Sequence, residues 1–238
     1  MRFLSAGDRA LVVEFGDEID RTLSDEVLRL AAAVTAAAIP GIAETVPTFR
    51  SLMIHYDPLL MQRTDLERIV SGLLDRPAQP RRAARLWRIP FCAEGEFAPD
   101  IEEVARLSGL STGEVAALHA SVRYRVYMLG FLPGFPYLGD LPRELALPRR
   151  ADPRLRVPKG SIAIATTLSA IYPYESPGGW HLIGRTPIPL FDISRPRPAL
   201  LAAGDAVEFE PIDAVLSAAI LGRVERGEHV PESEPLGA

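Results

Sequence analysis

Proline occurs 22 times and glycine 18 times in this chain, and twelve of the prolines lie between Gly130 and Pro198. Proline fixes its own φ and lacks an N–H donor, so no long helix runs through that segment. One extended helical bundle is thereby excluded. Short strands joined by tight turns fit instead, and β-prone runs at 161–165, 170–172, 180–186 and 188–191 supply them.

With 47% hydrophobic and 24% charged residues over 238 positions, the chain is too apolar for disorder and long enough to bury one or two cores. A mixed α and β protein is expected. Acidic residues (31) outnumber basic ones (26), giving a net charge of −5, and Lys159 is the one lysine. A nucleic-acid-binding domain carries a basic surplus, so nucleic acid is not an expected partner. The single cysteine, Cys92, excludes intramolecular disulfides and cysteine-paired zinc sites. No stretch reaches the roughly 20 apolar residues that span a bilayer, and residues 1–8 contain no apolar run of signal-peptide length. The expectation is a cytoplasmic protein without a membrane partner.

Residues 9–15 follow the turn signal Gly7-Asp8 and read as a strand. From Asp20, the residues Leu23, Val27, Leu30 and Val34 form one helical face that stops at Pro40-Gly41. Two short strands, 42–46 and 51–56, precede a helix with Leu66, Ile69, Val70 and Leu73 on one side. Thr64 and Glu67 have capping-box spacing at its start. A linker at 77–82 leads to a β-prone run at 85–91. Strand, helix, strand, strand, helix, strand is the ferredoxin-like order. The fold class is accordingly α+β, with a small ferredoxin-like α/β domain at residues 1–84.

Residues 85–225 read as a second domain, an all-β barrel or sandwich with two short helices near its start. One helix runs from Pro99-Asp100 to Leu107, and the other opens with the capping box Ser111 to Glu114. Residues 122–128 alternate strictly, with Arg123, Arg125 and Tyr127 on one face and Val122, Tyr124, Val126 and Met128 on the other. Residues 226–238, rich in Glu, Pro and Gly, read as a flexible tail.

The sequence contains no Gly-x-Ser-x-Gly elbow, no P-loop and no His-x-x-x-His or His-Glu-x-x-His pair. His55, His119, His181 and His229 are far apart, and no metal site is read from them. Cys92 beside Phe91 reads as a small buried hydrophobe. Two blocks carry the chemical interest. The first, 127–139, places Tyr127, Phe131, Phe135 and Tyr137 among Gly130, Pro133, Gly134, Pro136 and Gly139. It is either a rigid ligand-facing loop or a plug of rings at one end of a barrel. The second, 172–186, holds Tyr172, Glu175, His181 and Arg185 around Pro177-Gly178-Gly179. On a regular strand His181 and Arg185 share a face and open into one cleft suited to a carboxylate or phosphate; the alternative for Arg185 is a surface ion pair with Glu175. Between the blocks, Arg149, Arg150, Arg154, Arg156 and Lys159 form either a solvated loop or an anion-facing rim.

These blocks, 131–139, Pro148-Arg149-Arg150, Arg156-Val157-Pro158, Ile171-Tyr172-Pro173 and 176–186, together with Gly7-Asp8, Arg50-Ser51, Ile89-Pro90, Leu190-Phe191-Asp192 and Gly204-Asp205, resemble the carboxyltransferase-domain family that includes allophanate hydrolase subunit 1. The B component of bacterial 5-oxoprolinase and the sporulation-kinase inhibitor KipI belong to that family. The resemblance implies an N-terminal α/β domain followed by a cyclophilin-like β-barrel. It implies a second cyclophilin-like protein as partner, either allophanate hydrolase subunit 2 or the oxoprolinase C component. With the oxoprolinase A component, such members use ATP to hydrolyse 5-oxo-L-proline to L-glutamate. A histidine-kinase-inhibiting interaction module and a biotin-dependent carboxyltransferase component are the alternatives the family offers. The sequence departs from the family pattern at 165–173, where Gln-Thr-Gly is usual, and at 93–96.

On the enzyme reading, His181 transfers a proton or polarises the carbonyl, and Arg185 and Lys159 stabilise the developing anion. Tyr127, Phe131, Phe135, Arg156, Tyr172 and Glu175 are then expected to bind the substrate, a small amide or acid.

Overall fold

The computed structural model describes residues 1–76, 82–228 and 231–236. The chain divides into two compact units, Met1–Ala83 and Ala84–Ala238. Most of the proposed linker at 77–82 lies outside the described residues, as does His229.

The first unit contains β1 (Arg2–Ser5), β2 (Ala10–Glu14), α1 (Arg21–Ala37), β3 (Ile42–Pro47), β4 (Ser51–Tyr56) and α2 (Arg63–Leu74). Its four strands form an antiparallel sheet in the order β1-β2-β4-β3. Alternation places Leu11 and Val13 of β2, and Leu52, Ile54 and Tyr56 of β4, on the core face, where Val27, Leu30 and Val34 of α1 and Leu66, Val70 and Leu73 of α2 cover them. Asp20 caps α1 by accepting from the amides of Thr22 and Leu23 at 2.8 and 3.1 Å. Those hydrogen bonds hold its carboxyl below the usual range. The expected box at Thr64 does not form, because α2 begins at Arg63, two residues earlier than a Thr64 cap would start it, with Gln62 at the cap. Arg63 instead binds Glu67 at 2.7 Å. The element order also differs from the expected one. β1 was not foreseen, since its mostly exposed Arg-Phe-Leu-Ser lacks a buried alternation, and the strand at Arg85–Phe91 belongs to the other unit's sheet.

The second unit contains β5 (Arg85–Phe91), α3 (Ile101–Ser108), α4 (Thr112–Ala120), β6 (Tyr124–Leu129), β7 (Pro136–Gly139), β8 (Arg154–Val157), β9 (Ser161–Ala165), β10 (Leu168–Ile171), β11 (Ser176–Gly178), β12 (His181–Arg185), β13 (Ala206–Pro211), α5 (Ala214–Glu225) and β14 (Ser233–Pro235). Eight strands pair in the order β12-β9-β10-β7-β6-β13-β5-β14, while β8 and β11 form a separate pair. β5 and β13 are parallel, and the other pairs are antiparallel. Just past β5, Cys92 and Arg185 exchange both backbone hydrogen bonds at 2.9 Å. That bridge joins the ends of the run from β12 to β5 around a core containing Ile89, Phe91, Tyr124, Val126, Leu138, Ile162, Ile164, Ile183 and Phe209. Cys92 is fully buried there, and burial raises its thiol pKa; it packs as a hydrophobe.

Two features add to the reading of 85–225 as a β domain followed by a tail at 226–238. The capping box at Ser111 and Glu114 forms as expected, but α5 was missed. Its Ala-Val-Leu-Ser-Ala-Ala-Ile-Leu run is apolar on every side, so it shows no amphipathic period, although Asp213 caps it at Leu216 N, 2.7 Å. Within the segment expected to be a tail, β14 pairs with β5, and the Arg85 guanidinium donates to the Ser233 carbonyl at 2.8 Å.

His119 is buried among Phe91, Tyr124 and Phe209, with Nε2 2.9 Å from Ser169 Oγ. Desolvation drives its pKa down to about 3. The unfolded chain binds that proton near pH 6.5 and the folded chain does not, so stability is fully present above pH 6.5 and falls with acidification. Between pH 6.5 and 5 the expected loss is about 2 kcal/mol. Urea titrations across that range check it, and His119→Met should flatten the slope.

Candidate functional site

Lys159 and Arg185 come together. Lys159 sits in the turn between β8 and β9, and Gly160 allows that turn to press against β12. Gly160 has φ +80°, and a Cβ there would lie 2.4 Å from the Thr186 carbonyl oxygen. A left-handed residue in so tight a contact calls for glycine. The Thr186 amide in turn donates to the Gly160 carbonyl at 2.9 Å. The Arg185 guanidinium lies 5.3 Å from the Phe97 ring centroid. Its Nη2 donates to the Glu96 carbonyl over a long 3.4 Å, and its Nε is buried without a hydrogen bond. Both cations line a pocket of about 390 Å³, open to solvent, whose lining also includes Ser217, Leu221, Val224 and Glu225 of α5. That volume lies at the low end of the roughly 300–1,000 Å³ usual for small-ligand sites. Two cations beside one carboxylate and an apolar wall suit a small anion that also carries a donor.

His181 does not join them. β12 carries a bulge between Leu182 and Gly184, so His181 faces Ile164 while Arg185 faces Ser161. Directly opposed residues share a face, and Ile164 and Ser161 are three apart on β9 and therefore on opposite faces. The extra residue thus turns Arg185 away from His181. His181 is buried, and its Nε2 is 3.0 Å from the Pro148 carbonyl oxygen.

Beside it lies a group the sequence reading missed. Asp100 is 3% exposed and binds Arg150 at 2.8 Å. It also binds Arg154 through two bonds of 2.8 and 2.6 Å and accepts from the Leu182 amide at 2.7 Å. Asp100 was read only as a helix start, yet its side chain makes no cap bond to α3. Two cations of the expected rim are therefore tied to a buried carboxylate.

The aromatic residues form a separate cluster. Phe135 is the hub, with its ring centroid 5.3 Å from Phe131, 5.1 Å from Tyr137, 5.1 Å from Tyr172 and 6.4 Å from Trp180. Arg149 lies over Trp180 at 5.9 Å. Burial, reinforced by Tyr137, pushes the Tyr172 hydroxyl up to about 12, with Arg149 and Arg154 opposing. Phe135 and Tyr172 are 2% exposed and Phe131 is 61% exposed. The cluster is thus a plug with one projecting ring.

Tyr127 lies on the Arg125 side of β6, with the Arg125 guanidinium 5.7 Å from its ring centroid. A bulge between Val126 and Met128 interrupts the expected alternation of β6. The Tyr127 ring fills the space a side chain at position 139 would need, since a Cβ on Gly139 would lie 2.1 Å from Tyr127 Cε2. Arg156 and Glu175 pair with each other at 2.8 Å on the surface. The alternative Glu175–Arg185 pair is not made.

The model of the family described as carboxyltransferase domain, subdomain C and D, matches residues 1–201. The chain is 39% identical over 217 residues to the 5-oxoprolinase B component of Bacillus subtilis (strain 168), a match that covers 85% of this chain and 89% of that protein. The crystal structure of TTHA0988 matches with a TM-score of 0.77 at 38% identity, covering 87% of this chain and 40% of that one. The K. lactis urea amidolyase matches with a TM-score of 0.80 at 23% identity over 98% of this chain and 16% of that chain, a likeness of fold alone. Among the described residues, no helix is long and apolar enough to cross a membrane. The blocks that build the pocket turn, the aromatic plug and the Asp100 network all lie within the matched segment, and the chain belongs to the carboxyltransferase domain, subdomain C and D family.

Proposed function

We propose that the chain is the B component of an ATP-dependent 5-oxoprolinase, opening 5-oxo-L-proline to L-glutamate with its partner proteins. The likeness to the B. subtilis B component, nearly end to end in both chains at 39% identity, carries this reading. The partners are a second cyclophilin-like protein (the oxoprolinase C component) and the A component, and the complex works in the cytoplasm. The sheet joined at Cys92 and Arg185 supports a cyclophilin-like barrel for the second unit. The chain has no P-loop, and the part we assign it in the ATP-driven chemistry is charge stabilisation by Lys159 and Arg185.

Transfer of the ATP γ-phosphoryl group to the lactam carbonyl oxygen releases ADP. Water then adds to that carbon, the ring C–N bond breaks with the nitrogen taking a proton, and a second water cleaves the resulting acyl phosphate to carboxylate and phosphate, a sequence that places negative charge on oxygen. Lys159 and Arg185 are suited to neutralise it. Phe131 is suited to partner contact. His181, bonded to Pro148, is better suited to holding the 148–154 segment than to moving a proton. Co-expression with the A and C components should give 5-oxoproline-dependent ATP hydrolysis, and His181→Ala should lower it by no more than about tenfold. A loss of about 10²–10⁴ would return His181 to proton transfer.

A further inference from the structure

We propose that Phe97 is the positioning residue for Arg185, its ring holding the guanidinium in place without neutralising the charge. The second unit secures its partly buried arginines in two different ways. Arg150 and Arg154 are neutralised by the Asp100 carboxylate. Arg185 forms no ion pair among the described residues; instead the Phe97 ring centroid lies 5.3 Å from its guanidinium carbon, and the Glu96 carbonyl lies 3.4 Å from Nη2. A ring face and a carbonyl attract a cation and set its direction, yet neither brings a counter-charge. A carboxylate in that place would bind the guanidinium more strongly and cancel the charge that the pocket presents to an anion.

The segment that carries the ring is fastened to β12 at both ends. At one end Cys92 and Arg185 exchange backbone hydrogen bonds at 2.9 Å. At the other the Asp100 amide donates to the Leu182 carbonyl at 3.0 Å, and the Asp100 carboxylate accepts from the Leu182 amide at 2.7 Å. Between these fastenings runs a single 3₁₀ turn, Gly95–Phe97. It is closed by the Phe97 amide on the Glu94 carbonyl at 3.0 Å and the Ala98 amide on the Gly95 carbonyl at 3.2 Å. Phe97 is half-buried and lines the pocket beside Lys159 and Arg185, whereas Glu94 and Glu96 of the same segment are exposed. Without the ring, the long Arg185 side chain is free to turn toward one of those carboxylates, and a solvent-exposed pair takes the cation out of the pocket. The placement of Arg185 rests on this geometry; the reaction it serves rests on the function proposed above.

Two measurements test it. In the full chain, the NMR correlation of the buried Arg185 Nε–H, identified by its loss in Arg185→Gln, should shift when Phe97→Leu removes the ring and stay near its wild-type position in Phe97→Tyr. Phe97→Met repeats the comparison should the leucine variant fold poorly. In the reconstituted complex, Phe97→Leu should lower kcat/KM for 5-oxoproline about tenfold and Phe97→Tyr by less than about twofold. In an Arg185→Gln background Phe97→Leu should cost nothing further, because the two side chains act as one unit. Phe97→Glu places a carboxylate beside the cation and should lose as much activity as Arg185→Gln, although Arg185 is still present. An unmoved Nε–H correlation in the leucine and methionine variants, equal losses in Phe97→Leu and Phe97→Tyr, or an undiminished loss from Phe97→Leu in the Arg185→Gln background would overturn the proposal. Failure of the oxoprolinase reading looks different: the wild-type complex would lack 5-oxoproline-dependent ATP hydrolysis while the Nε–H correlation still responded to Phe97→Leu.

Discussion

Asp100→Ala is expected to destabilise the second unit by about 3–5 kcal/mol, because it leaves two arginines facing a buried site without their counter-charge. The Asp100 carboxylate is 4% exposed, and Arg150 and Arg154 are 27% and 25% exposed, so solvent replaces the lost interaction poorly. The same carboxylate accepts from the Leu182 amide, so its removal leaves an orphaned backbone donor beside the β12 bulge. Asp100→Asn should cost less, since an amide oxygen still accepts from Leu182. Urea denaturation followed through Trp180 fluorescence is the appropriate readout, because Arg149 of the tethered segment lies over that ring. A change below about 1 kcal/mol, in the range of exposed pairs, would show that the network contributes little.

The second large effect is on activity. In the reconstituted complex, Arg185→Gln and Lys159→Gln are each expected to reduce kcat/KM for 5-oxoproline by about 10²–10³, the usual cost of removing one group that neutralises transition-state oxygen charge. Both variants should be less damaging together than the product of the two, since either cation alone partly meets the same charge. A loss confined to KM would assign the cations to ground-state carboxylate binding, whereas an equal fall in kcat and kcat/KM would assign them to the reacting oxygen. By contrast, Arg156→Gln breaks the exposed pair with Glu175 and should leave kinetics unchanged.

The sequence made some of this legible and concealed the rest for identifiable reasons. The α1 face at Val27, Leu30 and Val34 follows directly from helical periodicity, and the Ser111 capping box forms with both of its bonds. Period-two reasoning failed where strands carry an extra residue. The bulge in β6 put Met128 on the opposite face from Val126, since the two oppose the adjacent Tyr137 and Leu138, and the bulge in β12 parted Arg185 from His181. Nothing local in Leu182-Ile183-Gly184 announces a bulge except the glycine itself. α5 was missed because apolar residues surround it, although a proline-free, alanine-rich stretch after Asp213 was an available helix signal. Asp100 was identified for the wrong role: its partners are some 50 and 54 positions away, and only the fold brings them together. The cationic loop was therefore read as one feature when it is four: Arg149 over the Trp180 ring, Arg150 and Arg154 in a buried network, Arg156 on the surface, and Lys159 in the pocket.

The most direct test of the oxoprolinase reading is an omission experiment with the three purified proteins, measuring ADP release that depends on 5-oxo-L-proline. The A and C components should be inactive without this chain, and its addition should restore turnover in a saturable, stoichiometric manner, with Arg185→Gln protein failing to do so. Full turnover by A and C alone, or none when all three proteins are present and associated, would contradict the assignment.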